Sequence, residues 1–288
     1  MFGEIRACRH ACCTEVVSVS RKRPKRPNRS DRPARRKHQP MGMDILHEDR
    51  DVIVVNKAAG LLTIGTGKDG GRTAHAALTD YVKKGNPKSR EQIFIVHRLD
   101  RDTSGAVVFA RTEQAKITLQ SNWKNAEKTY LAFVEGHPEP AEDTITTYLA
   151  ENSARRVFST LDPKEGKLSH TRYKVIKTVG DRSLMEIYLL TGRKNQIRVH
   201  LADKGWPIVG DSKYGRKIRD NKRLALHSYV LSFDHPFHGE RITITAPVPD
   251  TFYRMAAAPT PEPPREPKKE RERKTNDRGQ RGQCGDRS

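Results

Sequence analysis

Residues 97–105 read His97-Arg98-Leu99-Asp100-Arg101-Asp102-Thr103-Ser104-Gly105, a carboxylate crowded by guanidinium groups between two apolar runs. Strand alternation places Arg98 and Asp100 on one side and turns Leu99 toward a core. Asp102, Thr103, Ser104 and Gly105 are turn formers: the short polar side chains cap local amides, and the glycine accepts positive φ. A neighbouring arginine favours the ionised form of Asp100 and lowers its pKa. A carboxylate kept charged at neutral pH can serve as a nucleophile or a base. The bland alternative is a solvated, charged hairpin, and this segment alone does not choose between the two.

The elements that must position Asp100 surround it in a dense pattern. Residues 45–48 and 52–56 read as a strand pair around a turn at 49–51, and 73–82 as a helix. Residues 94–98 and 106–111 read as strands flanking the polar loop, and 113–125 as a helix capped by Thr112. Period-two alternation predicts strands at 129–135, 144–150, 172–177 and 184–191. A short helix follows over 195–204 and a last strand over 242–246. Many strands, few helices and short connections argue for an α+β fold: one catalytic domain around a large mixed, mostly antiparallel sheet.

Composition narrows the partner. The chain has 288 residues, with 55 Lys and Arg against 35 Asp and Glu, a formal charge of +20. Residues 1–40 hold +9 of this and residues 258–288 hold +3, which leaves +8 between them. Such an excess marks a polyanionic partner. Residues 21–40 mix basic residues with prolines, and residues 259–288 are similarly charged and Pro-rich. Neither can bury enough apolar area to order itself, so residues 1–42 and 258–288 read as disordered tails around a domain over 43–257. No apolar run reaches the roughly 18 residues of a membrane helix. All four cysteines, Cys8, Cys12, Cys13 and Cys284, fall in the tails, so no disulfide framework staples the core, which suits a reducing, cytoplasmic setting. Cys8, His10, Cys12 and Cys13 lack a second ligand pair to close a tetrahedron, so no metal is expected. There is no dinucleotide fingerprint and no P-loop, and no cofactor is expected.

The segment HRLDRDTSG resembles the signature of the RluA-type RNA pseudouridine synthases. The resemblance continues upstream through Ile45-Leu46-His47-Glu48 and Val54-Val55-Asn56-Lys57-Ala58-Ala59-Gly60-Leu61. Downstream it takes in Glu127-Lys128-Thr129-Tyr130, Thr191-Gly192-Arg193-Lys194-Asn195-Gln196-Ile197-Arg198, Gly210-Asp211-Ser212-Lys213-Tyr214-Gly215, Leu226-His227 and Phe233-Asp234-His235-Pro236. In all it spans about 44–254. The chain departs from the family's usual pattern at Ala58, where Pro is common, and at Lys194-Asn195, where Thr-His is common.

The resemblance implies the pseudouridine synthase fold and a set of roles. Asp100 is the catalytic carboxylate, Tyr130 stacks on the target base and assists at carbon 5, and Arg198 pairs with Asp100. Arg98 fills the gap left by an extruded uridine, and Leu226 either walls the uracil pocket or is simple core. By charge, Arg193, Lys194, Lys213 and Arg216 are candidate phosphate contacts, the bland alternative being a solvated face. The implied substrate is structured RNA, an rRNA or tRNA stem-loop, acted on by a monomer with no obligate protein partner. Two rival readings are a catalytically silent RNA-binding module and an aspartic protease built on Asp102-Thr103-Ser104-Gly105. The first has no need for Asp100, Tyr130 and Arg198 together; the second needs a paired carboxylate.

Overall fold

Val52–Lys57 and Ser104–Ala110 are nearly continuous apolar runs, as expected for strands covered on both faces. In the computed structural model, which describes residues 39–65, 72–215 and 223–257, they lie inside a mixed sheet of 11 strands. The strands are β1 (Met43–Glu48), β2 (Val52–Lys57), β3 (Phe94–Ile95), β4 (Ser104–Ala110), β5 (Glu127–Glu135), β6 (Glu142–Glu151), β7 (Val157–Thr160), β8 (Lys167–Val179), β9 (Arg182–Leu189), β10 (Leu226–Asp234) and β11 (Arg241–Thr245). The helices are α1 (Ala74–Lys83), α2 (Glu113–Ser121), α3 (Gln196–Asp203) and α4 (Asp250–Ala257). The cysteines, the expected tails and Arg216 lie outside the described residues. No helix among the described residues is long and apolar enough to cross a membrane.

The sheet runs β1-β2-β4-β10-β5-β9-β8-β6-β7, with β3 added to β4 and β11 to β10. All named pairings are antiparallel except that of β4 with β10. One face buries Leu78 and Val82 of α1, Ile197 and Leu201 of α3, and Phe252 of α4 against β2, β4, β5 and β9. The other buries Ala115 and Leu119 of α2 against Val54, Val108, Leu231 and Phe233. The α+β class and the mostly antiparallel sheet are as the sequence predicts.

Local differences have physical causes. The strand expected over 94–98 stops at Ile95, and residues 96–103 form a loop, so Arg98 and Asp100 are not placed by strand alternation. The helix expected over 113–125 ends at Ser121 and tightens into a single 3-10 turn at Trp123–Asn125. Thr112 does cap α2, accepting from the Ala115 amide. Central strand β10 escapes pattern reading because a register shift between Ser228 and Val230 breaks its period. It also buries polar His227 and Ser228, which bond Ser104 at 2.8 Å and the Ala106 carbonyl at 3.1 Å.

Gly105 sits where β4 meets β10, with φ of +111°, and a Cβ there would lie 2.1 Å from the Ser228 carbonyl oxygen. Gly105→Ala must therefore part the two strands, and thermal unfolding should show a loss of more than about 3 kcal/mol.

Candidate active site

Asp100 is carried by a loop that is tied down on both sides. Thr63 Oγ1 donates to the Leu99 carbonyl at 2.9 Å and accepts from the Leu99 amide at 3.2 Å. Lys57 is wholly buried, and its ammonium donates to the carbonyls of Ala58, Leu61 and Arg101 at 3.0, 2.7 and 3.1 Å. The Gly60 amide donates to the same Arg101 carbonyl at 2.9 Å. Burial pulls Lys57 down to about 8, while Asp102 and Asp100 hold it up against that pull. Four hydrogen bonds thus fix the backbone on either side of Asp100, and Leu99 anchors it in the core.

The opposite wall is the entry to α3. Gln196 uses all of its hydrogen-bonding capacity. Its Oε1 accepts from Thr191 Oγ1 at 2.9 Å and the Arg193 amide at 3.0 Å, and its Nε2 donates to the His170 carbonyl at 3.0 Å and Thr171 Oγ1 at 2.9 Å. This locks the turn at 191–195. Asn195 then adopts a left-handed conformation with φ of 53°, which asparagine tolerates better than most residues.

Arg198 emerges from the first turn of α3. Its Nε and Nη2 grip Asp211 bidentately at 2.8 and 2.7 Å, leaving Nη1 for Asp100 Oδ2 at 3.6 Å. Asp211 also accepts from the amides of Lys213 and Tyr214 at 2.8 and 2.9 Å. Burial works against the Asp211 charge, yet Arg198 and these amides hold its carboxyl below the ordinary value. Arg198 therefore does pair with Asp100, but its main partner is Asp211. With its amide nitrogen facing Asp100, Asn195 donates to Oδ2 at 2.7 Å and Oδ1 at 3.3 Å. Its oxygen then accepts from Lys213 Nζ at 3.1 Å and the Tyr214 hydroxyl at 3.2 Å, in place of the 3.4 Å contact with Arg198 Nη1 that the opposite orientation makes.

These walls enclose a pocket of about 80 Å³. Asp100, Tyr130, Arg198, Arg98, Leu226 and Arg193 all line it, with Leu189, Ile197 and Thr103 completing the wall. Lys194 lies outside it, along an adjoining cleft of about 550 Å³, and its ammonium pairs with Glu151. Lys213 stands beside Asp100 through Asn195. The sequence alone assigned no role to Lys57, Thr63, Asn195, Gln196 or Asp211. Asn195 was visible only as a departure from the usual pattern, and Asp211 only as part of a motif.

The electrostatics correct one expectation. Burial raises the Asp100 carboxyl above the ordinary aspartate value, and the nearby cations, Arg198 first and then Lys213, offset it only in part. Burial also pushes the Tyr130 phenol far up, so it stays neutral. Asp102 does not line the pocket, and Asp211 is committed to Arg198, so the paired carboxylates of a protease are not assembled here.

Among the described residues one group, Asp49, Asp51 and His235, brings potential metal ligands within 4.8 Å of one another. His235 Nδ1 accepts from the Phe237 and His238 amides at 3.3 and 3.2 Å, which leaves the proton on Nε2, facing both carboxylates. A protonated nitrogen has no lone pair for a metal, so these residues fit an N–H group directed at two carboxylates instead.

The architecture is that of the pseudouridine synthases: a solved human structure, RNA Pseudouridylate Synthase Domain Containing 4, matches with a TM-score of 0.63 at 22% identity, covering 75% of this chain and 94% of that one. The RNA pseudouridylate synthase family pattern matches residues 51–203. The RNA pseudouridine synthase YlyB of Bacillus subtilis is 36% identical over 221 residues, 75% of this chain and 73% of its own length. Ribosomal large subunit pseudouridine synthase D of Vibrio cholerae is 32% identical over 238 residues, 76% and 72% of the two chains. The chain belongs to the RluA-type family of RNA pseudouridine synthases, which are isomerases.

Gln196→Ala removes the four hydrogen bonds of a buried side chain and should destabilise the protein by about 2–4 kcal/mol in denaturant unfolding. Asn195→Ala removes donors that favour the charged carboxylate. The acid limb of any Asp100-dependent activity should then move to higher pH, which a rate profile between weakly acidic and neutral pH would show.

Proposed function

We propose that the chain isomerises specific uridines to pseudouridine in structured RNA, an rRNA or tRNA stem-loop, with Asp100 as the catalytic carboxylate. The observation that carries this reading is a carboxylate oriented by Arg198 and Asn195 inside a pocket sized for a single flat ring and open onto a broad basic cleft. The name of the Vibrio relative, a ribosomal large subunit enzyme, favours rRNA.

The reaction breaks the bond from the sugar's anomeric carbon to N1 of uracil and makes one from the same carbon to C5. The proton leaves C5 and N1 gains one, so no electrons are gained or lost overall and no group donor is needed. Asp100 attacks either the anomeric carbon or the base ring, and either route requires it ionised. Once the new bond to C5 has released Asp100, its raised pKa makes it the better proton acceptor, while Arg198 and Asn195 favour the charged form that the attack needs. Tyr130 offers an aromatic face and a neutral hydroxyl beside the ring, and Leu226 an apolar wall.

Extruding a nucleotide costs a few kcal/mol. Arg98 is exposed at the pocket mouth with no acceptor among the described residues, and so is free to enter the gap in the stack. Arg193 is likewise unpaired and free for phosphate, whereas Lys194 must first exchange Glu151 for it.

Asp100→Asn should lower tritium release from RNA labelled at C5 of uridine by about a thousandfold or more, with RNA affinity changed less than about twofold. Equal loss of affinity and rate would overturn the role of Asp100. Absence of release by the wild-type chain from total rRNA and tRNA would leave a binding module instead.

A further inference from the structure

The cleft beside the pocket contains a cation that the roles above do not use. Lys128 lies in β5 two residues before Tyr130, on the same strand face and about 6.6 Å along it. Its side chain is nine-tenths buried, yet its ammonium has no hydrogen-bond or ion-pair partner among the described residues. Only its position 5.6 Å from the centre of the Trp123 ring stabilises the charge. Burial lowers its pKa, with no carboxylate to oppose the shift. A lysine so placed ordinarily has an acidic neighbour.

His97 adds a second unused donor. Its Nε2 accepts from the Val108 amide at 3.2 Å, so the neutral ring carries its proton on Nδ1, which has no acceptor among the described residues. Burial, and then the charge of Lys128, hold His97 down to about 3, so it is neutral under ordinary conditions. The ring stacks on Trp123 at 4.5 Å, which fixes its plane. Neither donor is sealed in: the enclosed side-chain atoms without partners are Glu135 Oε1 and His227 Nε2. His97, Trp123 and Lys128 all line the cleft of about 550 Å³, which also shares Arg98, Asp100, Tyr130 and Arg193 with the pocket.

We propose that Lys128 and the Nδ1–H of His97 form an anion subsite that grips the backbone phosphate of a nucleotide adjacent to the one in the pocket. The proposal rests on the RNA reading above and makes it more specific. Two donors and no acceptor suit a phosphodiester oxygen, and the cleft leads directly from the ring pocket. A phosphate would supply the counter-charge that the fold withholds. Because the site reads charge and not base identity, it contributes register, setting how far the strand enters before one base swings in.

The test uses the full chain and a fluorescein-labelled RNA hairpin with an all-uridine loop, with binding followed by anisotropy over a salt series. Lys128→Gln should weaken binding about 5- to 10-fold and make the slope of log affinity against log salt shallower by about 0.7, the value for one phosphate on a single strand. Lys128→Arg keeps the charge and should restore the slope. Hairpins with one loop phosphate at a time replaced by neutral methylphosphonate should reveal a position where the wild type loses affinity and Lys128→Gln loses nothing more. An unchanged slope in Lys128→Gln, or equal losses for both proteins at every position, overturns the subsite. A weaker affinity at unchanged slope also overturns it, since that marks only lost support for Trp123. If wild-type binding itself ignores salt, the RNA reading fails, a result distinct from a salt-dependent wild type matched by Lys128→Gln.

Discussion

The site depends on one buried guanidinium shared between two carboxylates. Arg198 gives its fork to Asp211, which is almost fully enclosed, and its remaining nitrogen to Asp100, which faces the pocket. The first contact fixes the arginine; the second uses it. Removing one member of such a buried pair strands the other charge, at a cost of about 3–5 kcal/mol. Asp211 therefore acts on Asp100 without touching it, through the rotamer of Arg198 and through the Lys213 and Tyr214 amides that it caps.

Asp100, the proposed catalytic carboxylate, is pulled two ways. Desolvation favours the protonated acid, while Arg198, Lys213 and the Asn195 amide favour the anion. The balance leaves Asp100 more basic than an exposed aspartate yet still chargeable. Tyr130 is shifted in the same direction by burial, which for a phenol favours the neutral form.

The supporting structure is rigid where the chemistry is. The Asp100 loop is held by Lys57, Thr63 and Gly60 from one side, and the turn before α3 by Gln196 from the other. Between them, β4 and β10 run parallel at close quarters because Gly105 has no Cβ. By contrast Arg98, Arg193 and Lys128 present cations with no hydrogen-bond or ion-pair partner among the described residues, as a surface meant to receive a polyanion would.

Much of this was legible in the chain itself. Alternation located most strands, Thr73 and Thr112 marked two helix starts, and the basic excess outside the tails pointed to a polyanion. The ordered motifs around Asp100, Tyr130 and Arg198 identified the family, because local sequence encodes local structure and residue chemistry. The bulged strand β10 was hidden, since a register shift erases the period-two signal and its buried polar residues mimic a loop. The direction of the Asp100 shift was also hidden: arginine neighbours in sequence suggested a lowered pKa, and burial reversed it. Asp211 and Asn195 drew attention only as motif members, because Arg198 and Asp100, the side chains they hold, lie 13 residues and more away along the chain. Residue types and their order set what chemistry was available. Only the packing of distant segments decided which charges are desolvated, which are paired and which are left free.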